Sequence, residues 1–339
     1  MNQILIIYTG GTIGMMSDPK TKVLRPINFE QIMDNVPELD RLNCKLKVHS
    51  FEEIIDSSNM NPKIWSQLAG LIKDNYDSVD GFVILHGSDT MAFTASALSF
   101  MLENLSKPII FTGSQLPISA IRTDAKENLM TAIEIAKAKK HERSRVPEVC
   151  IYFDYKLFRG NRAFKYNSSK FEAFRSPNYP ILAESGVHLK FSINDIRQPL
   201  EGPLKVHKEL VSDVAVLKLY PGISPKVVEA VLGADVRGIV METFGAGNTT
   251  TDKWFTDMLK HAIHSGKVIL DISQCKVGTV ELGRYETSKE LKDMGVANGY
   301  DMTYEAAITK MMYLLGQYDE PLIIKEMLET DLRGELTVS

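Results

Sequence analysis

Several short stretches of this chain gather hydroxyls, a carboxylate and lysines in patterns that could do chemistry. In Thr9-Gly10-Gly11-Thr12-Ile13-Gly14 two consecutive glycines let the backbone turn sharply and leave a hydroxyl, that of Thr12, just past an apolar run. His86-Gly87-Ser88-Asp89-Thr90 sets a hydroxyl beside a carboxylate at the start of a helical pattern, where free backbone N–H groups favour negative charge. Asp56-Ser57-Ser58-Asn59-Met60 and Thr112-Gly113-Ser114-Gln115 add further hydroxyls, and the segment 154–165 carries two lysines, Lys156 and Lys165. A neutral hydroxyl is a weak nucleophile near pH 7 and needs a neighbour to take its proton. Hydroxyls with a carboxylate and a lysine therefore suit acyl transfer by an activated hydroxyl. They suit hydride or phosphoryl transfer poorly, because the glycine spacing matches neither the dinucleotide fingerprint nor the phosphate loop.

Each stretch also has a plainer reading. The Gly-Gly pair serves a tight turn, Asp89 or Thr90 caps a helix, His86 packs as a neutral buried histidine, and either lysine is solvated.

The elements that must position these residues follow from periodicity. Strands are expected at 3–8, 47–51, 82–85, 109–112 and 149–153, too apolar for one-sided sheets and so buried on both faces of a mostly parallel sheet. Met91, Ala95, Leu98, Leu102 and Leu105 recur at 4-3-4-3 spacing and predict a helix between them. From residue 189 to 209 periodicity fades into polar, proline and glycine residues, which reads as a linker. A second set follows, with strands at 214–219, 237–241 and 268–272 and helices at 224–232, 252–264 and 302–315. The expectation is two α/β domains, 1–195 and 210–339, joined by 196–209. In parallel sheets ligands bind beyond the carboxyl ends of the strands, and the chemistry-bearing stretches follow the expected strands of the first domain.

Composition narrows the class. With 339 residues, 44% hydrophobic and 24% charged, and a net charge of −4, the chain carries no general attraction to nucleic acid or acidic membrane. The basic run 137–145 reads as a solvated helix end or loop. The start lacks a basic leader, and no apolar run reaches the roughly 18 to 20 residues that span a bilayer. Cys44, Cys150 and Cys275 are far apart and odd in number, which suits a reducing compartment and gives no metal-ligand spacing. A soluble intracellular protein using no metal or other cofactor is expected.

Taken in order, these blocks resemble the type I, cytoplasmic branch of the L-asparaginase family. Thr9 to Gly14 is similar to the family's first signature, and His86-Gly87-Ser88-Asp89-Thr90-Met91 to its second. The resemblance continues through 95–105, Thr112-Gly113-Ser114-Gln115, Arg159-Gly160-Asn161-Arg162, Tyr220-Pro221-Gly222-Ile223, Phe244-Gly245-Ala246-Gly247-Asn248, Asp301-Met302-Thr303 and Leu332-Arg333-Gly334-Glu335-Leu336. It implies that Thr12 attacks the side-chain amide of asparagine, releasing ammonia and leaving a β-aspartyl ester for water to hydrolyse. Ser88, Asp89 and Lys165 would handle the proton, with Asp89 also holding the substrate ammonium. Ser57 and Ser58 would bind the substrate's α-carboxylate and ammonium, and the backbone of Ser114 would lie near the scissile amide. Asn248 and the region of Asp301 would reach the site of a neighbouring subunit, making a homo-oligomer, a dimer or a dimer of dimers, whose only other partner is the small amino-acid substrate.

The chain departs from the family in three places. Ser88 stands where threonine is usual, and losing the methyl frees χ1. The loop 15–26, which would act as a lid, lacks the tyrosine often found there. Some relatives carry a second asparagine site; of its positions Phe164 and Glu242 differ here and Cys275 matches, so homotropic activation is expected to be weak or absent. Two other functions share the resemblance: the asparaginase-like component of a tRNA-dependent amidotransferase, which usually has an extra N-terminal domain, and a non-catalytic amino-acid sensor.

Overall fold

The computed structural model describes residues 2–17, 24–27, 29–199, 201–284 and 286–338. The chain divides into two compact units, Met1–Lys208 and Glu209–Ser339. Of the stretch 15–26, Met15–Ser17 pairs antiparallel with Leu24–Pro26, and 18–23 lie outside the described residues.

The first unit is built on one eight-stranded sheet. Its strands are β1 (Gln3–Tyr8), β2 (Lys45–Ser50), β3 (Gly81–Leu85), β4 (Ile109–Thr112), β5 (Val149–Phe153), β6 (Lys156–Arg159), β9 (Ala183–Ser185) and β10 (Leu189–Phe191); β7 (Phe164–Lys165) and β8 (Phe174–Arg175) form a separate pair. The order is β10-β9-β6-β5-β4-β3-β1-β2. The neighbours from β2 to β5 run parallel, and β6, β9 and β10 extend the sheet antiparallel. In the centre of this sheet Phe82, Val83, Ile84 and Leu85 are fully buried, each contributing about 1.5–3 kcal/mol of hydrophobic stabilisation.

Helices cover this sheet because their apolar stripes and caps leave them no other place. In α1 (Pro62–Asn75) Asn61 accepts from the N–H groups of Lys63 and Ile64, and Pro62 sits where no donor is needed. In α3 (Ala125–Lys137) Leu129, Ala132, Ile133 and Ala136 enter the core with Ile4, Ile6, Val83 and Ile110. α2 (Met91–Met101), following β3, is buried over nearly its whole surface.

The structure adds three details to the sequence reading. The strand expected at 47–51 runs from Lys45 to Ser50 at the open edge of the sheet, and five of its six residues are exposed. An edge strand has no outer neighbour to bury it, and its lysines keep that edge in water. The hairpin from β5 to β6 turns through Asp154 (φ 49°) and Tyr155 (φ 64°). That left-handed pair is the geometry glycine and asparagine favour in two-residue hairpins, so neither residue announces the turn. In the stretch read as a linker, Ile196 belongs to the core of the first unit and Lys205–Val206 pairs antiparallel with Leu102–Glu103.

The second unit holds a parallel four-stranded sheet in the order β11 (Val214–Lys218), β12 (Gly238–Thr243), β13 (Val268–Ser273), β14 (Ala297–Asn298). Among its helices, α4 (Pro225–Leu232) and α5 (Lys253–His264) supply Val228, Leu232, Phe255 and Leu259 to its core, and α6 (Tyr304–Gln317) and α7 (Pro321–Glu329) follow β14. Among the described residues no helix is long and apolar enough to cross a membrane.

Candidate active site

Register brings the chemistry-bearing stretches to one edge of the first unit's sheet. Tyr8 pairs with Leu85 and Leu85 with Thr112, so the turns that follow β1, β3 and β4 start level with one another. The next two residues then interlock by close approach. Gly11 has φ 93°, and a Cβ there would stand 2.6 Å from Gly87 N; a Cβ on Gly87 would stand 2.5 Å from Ser57 Oγ. Only glycine permits these contacts. They pack the Thr12 turn against the Gly87-Ser88-Asp89 turn, and that turn against Ser57.

Thr12 begins a short 3₁₀ turn, Thr12–Gly14, and is half-buried. Tyr8 holds this turn from below, its hydroxyl donating to Gly14 O at 3.0 Å. Burial pushes the Tyr8 phenol up to about 12, so it stays a donor across the neutral range. On the other side the N–H of Ile118 donates to Ile13 O at 3.3 Å, which brings the segment after Ser114 against the residue after Thr12.

Lys165, on β7, reaches the second signature. Its Nζ donates to Ser88 Oγ at 2.8 Å and to Asp89 Oδ1 at 2.6 Å. The lysine side chain is 17% exposed and the aspartate 69%, so the ammonium is largely covered while the carboxylate faces solvent. Helix capping is not what this turn does: α2 begins after Thr90 with no side-chain cap. The Thr90 hydroxyl donates instead to Ser57 O at 2.6 Å, tying the Ser57 turn to the second signature.

His86 is structural. Its Nε2 lies 2.9 Å from Thr94 Oγ1, and Trp65 Nε1 donates to that same hydroxyl at 3.0 Å. An indole N–H can only donate, so the threonine proton is free to go to Nε2. The imidazole proton then sits on Nδ1, which donates to Gly87 O at 2.7 Å. Burial holds the ring's pKa down to about 4, against the smaller upward pull of the Gly87 bond, so His86 is neutral at pH 7.

Among the other expected site residues, Ser57 is buried and Ser58 is not. The Ser58 hydroxyl and N–H both donate to Asp56 Oδ1 at 2.9 Å, and those bonds hold the Asp56 carboxyl below its usual range. Ser114 is buried, with its hydroxyl on Leu116 O at 2.6 Å. In the second unit Asn248 closes a tight turn with Phe244, and Asp301 Oδ1 accepts from Thr337 N at 2.7 Å. Glu242 is buried with Oε2 3.2 Å from Lys218 Nζ, and Cys275 is an exposed free thiol. Phe164, in the first unit, is buried edge-on to Tyr166. Among the described residues no three His, Cys, Asp or Glu side chains are grouped to hold a metal ion.

Two residues at this edge escaped the sequence reading. Asp124 and Asn128 lie one turn apart at the start of α3 and bind the backbone of the Gly113–Leu116 turn. Their i, i+4 spacing on one helix face was the available signal, but an aspartate at a helix start reads first as a cap. Asp124 makes no such cap.

Comparison with known proteins covers both units. Residues 3–197 match the family described as asparaginase, N-terminal, and residues 213–328 match the glutaminase/asparaginase C-terminal domain. The chain is 41% identical over 336 residues to L-asparaginase 1 of Escherichia coli, covering 98% of each. It is 35% identical to one component of the glutamyl-tRNA(Gln) amidotransferase of Pyrococcus furiosus, over 98% of this chain and 76% of that one. Its fold superimposes on the crystal structure of L-asparaginase I from Vibrio cholerae with a TM-score of 0.91 at 39% identity, covering 99% of both chains.

Proposed function

Because this chain belongs to the asparaginase family, we infer that it is an amidohydrolase that converts L-asparagine to L-aspartate and ammonia. The observation that carries the reading is the bond from Lys165 to the adjacent Ser88 and Asp89, set beside the Thr12 turn by the Gly11–Gly87 contact. The higher identity to an L-asparaginase, 41% against 35%, favours this reading over the amidotransferase component.

In this reading Thr12 Oγ attacks the side-chain carbonyl carbon of asparagine. Lys165 in its neutral form takes the Ser88 proton along their 2.8 Å contact while Ser88 takes the Thr12 proton. The returned proton leaves with the amide nitrogen as ammonia, and water then cleaves the β-aspartyl ester by the same route. Asp89, exposed beside Lys165, pairs with the substrate ammonium, and Ser57 and Ser58 serve its α-carboxylate and ammonium. Backbone N–H groups near Ser88 and Ser114 stabilise the oxyanion.

The same reading places the protein in the cytoplasm as a dimer or dimer of dimers, with Asn248 and Asp301 serving a neighbouring subunit. Phe164 and the buried Glu242 replace two positions of the relatives' second asparagine site, which supports a hyperbolic rate curve in asparagine. A sigmoidal curve abolished by substituting Cys275 would contradict that last point.

Steady-state ammonia release from asparagine and glutamine, for the natural chain and for Thr12→Ala, tests the central claim. Asparagine turnover should fall at least about a thousandfold in Thr12→Ala. Full activity in that variant rules out the mechanism, and no release by the natural chain leaves the amino-acid sensor.

A further inference from the structure

Ser114 is 3% exposed and its hydroxyl is turned to Leu116 O. Among the described residues neither its N–H nor its C=O has a hydrogen-bond partner. Buried backbone groups are nearly always paired, so such a pair points to a ligand. The segment lies between the other two reacting turns: Thr112 O accepts from His86 N at 3.0 Å, and Ile118 N donates to Ile13 O.

The two peptide planes that flank Ser114 are both fixed from α3. Asn128, 1% exposed, donates from Nδ2 to Gly113 O at 3.0 Å. The described peptide bonds are all trans, and in a trans planar peptide the N–H points opposite to the C=O. Holding Gly113 O on Asn128 therefore turns the Ser114 N–H away from α3. Asp124 accepts from Gln115 N at 2.9 Å through Oδ2 and from Leu116 N at 3.1 Å through Oδ1. Holding the Gln115 N–H in this way turns the Ser114 C=O away from α3 as well. Asn128 Nδ2 also donates to Asp124 Oδ2 at 3.2 Å, and Asn128 Oδ1 accepts from Asp154 N at 3.4 Å, so the pair is anchored to the end of β5.

We propose that Asp124 and Asn128 are positioning residues which aim the Ser114 C=O and N–H at the scissile amide, and so select a carboxamide over other acyl groups. The proposal rests on the asparaginase reading above. The C=O accepts a hydrogen from the amide nitrogen, a contact that an ester of the same acid cannot make. The N–H faces the carbonyl oxygen of either substrate. Asp124, through the C=O, therefore serves the amide alone, whereas Asn128, through the N–H, serves both.

The test compares asparagine with aspartate β-methyl ester in the full chain, its Asp124→Asn variant and its Asn128→Ala variant. In Asp124→Asn the ratio of kcat/KM for amide to ester should fall about tenfold or more, the size of one lost hydrogen bond to a polar group. In Asn128→Ala both substrates should lose kcat by a similar factor of about ten or more. In both variants competitive inhibition by L-aspartate should stay within about twofold, because its α-groups bind elsewhere. An unchanged amide-to-ester ratio in Asp124→Asn overturns the proposal. If that variant does not fold, unchanged kcat in Asn128→Ala overturns it, and a kcat loss without change in aspartate inhibition supports it. A natural chain inert on both substrates instead overturns the asparaginase reading on which the proposal stands.

Discussion

Lys165 Nζ donates to Ser88 Oγ at 2.8 Å, so this hydroxyl already accepts one hydrogen bond and its own proton is free to point elsewhere. The same ammonium meets Asp89 Oδ1 at 2.6 Å. A lysine between a hydroxyl and a carboxylate both orients the hydroxyl and supplies a proton acceptor when neutral. Lys165→Met keeps the length of the side chain and removes the nitrogen. It should lower kcat for asparagine by about 10² to 10⁴ with little change in KM, read from initial rates of ammonia release. A loss smaller than tenfold would show that the proton takes another route.

Ser88 has no β-methyl, and the Lys165 bond is what the described hydrogen bonds give to restrain its χ1. Ser88→Thr adds that restraint. It should raise kcat between about two- and tenfold, the range that follows from an off-rotamer cost of ~0.5–1.5 kcal/mol. Unchanged or lower turnover would mean that Lys165 alone fixes the hydroxyl.

His86 is buried with a pKa held down to about 4, below the ~6.5 of an unfolded histidine. Between those values the unfolded chain binds the proton and the folded one does not, so stability rises with pH across this window. As pH falls from about 6.5 to 4, His86 should remove about 3 kcal/mol of stability. Thermal unfolding at stepped pH should show a steeper fall for the natural chain than for His86→Gln. Parallel curves would contradict the neutral buried ring.

Lys310 and Glu335 form a fully buried pair at 2.5 Å. Lys310 also donates to Leu328 O and Thr330 O, and Glu335 accepts from the N–H groups of Leu332 and Arg333. Burial alone would push the Glu335 carboxyl up, but Lys310 and those N–H groups hold it below its usual value. Its stabilisation is therefore present above about pH 4.3, the unfolded value, and is lost as pH falls through the folded one. Glu335→Gln leaves a buried ammonium uncompensated and should cost about 3–5 kcal/mol in urea unfolding. A cost below about 1 kcal/mol would mean that backbone carbonyls suffice for Lys310.

Asp271 behaves in the opposite sense. It is fully buried in β13, with Oδ1 accepting from Thr243 Oγ1 at 2.7 Å and Oδ2 without a partner among the described residues. Burial raises its pKa to about 8, against the downward pull of the Thr243 bond. Between about pH 4 and pH 8 the folded state holds a proton that the unfolded state has lost, so stability falls as pH rises. Asp271→Asn removes that dependence and should raise the unfolding temperature at pH 8 more than at pH 5. Equal shifts at both values would show that Asp271 is ionised in the folded chain.

Legibility differed between parts of the fold for physical reasons. β1, β3, β4 and β5 could be read directly, because burial on both faces demands continuous apolar runs. β6, β9 and β10 could not: they begin after a left-handed turn made by Asp154 and Tyr155, and they include the polar Lys156, Glu184 and Lys190. Thr12, Ser88, Asp89 and Ser114 stood out because they directly follow readable strands. Asp124 and Asn128 did not, since their work is done on backbone 8 to 15 residues away.

By itself the sequence determined the family, the parallel α/β class and the residue types at the strand ends, since these depend on periodicity and on local motifs. Only the tertiary structure decided that Lys165, 77 residues beyond Ser88, binds Ser88 and Asp89, that Ser58 turns to Asp56, and that both peptide planes at Ser114 are fixed from α3. Such pairings depend on which strands lie side by side and on how closely their turns approach. The glycine contacts at Gly11 and Gly87 set that approach through space, where sequence spacing carries no distance.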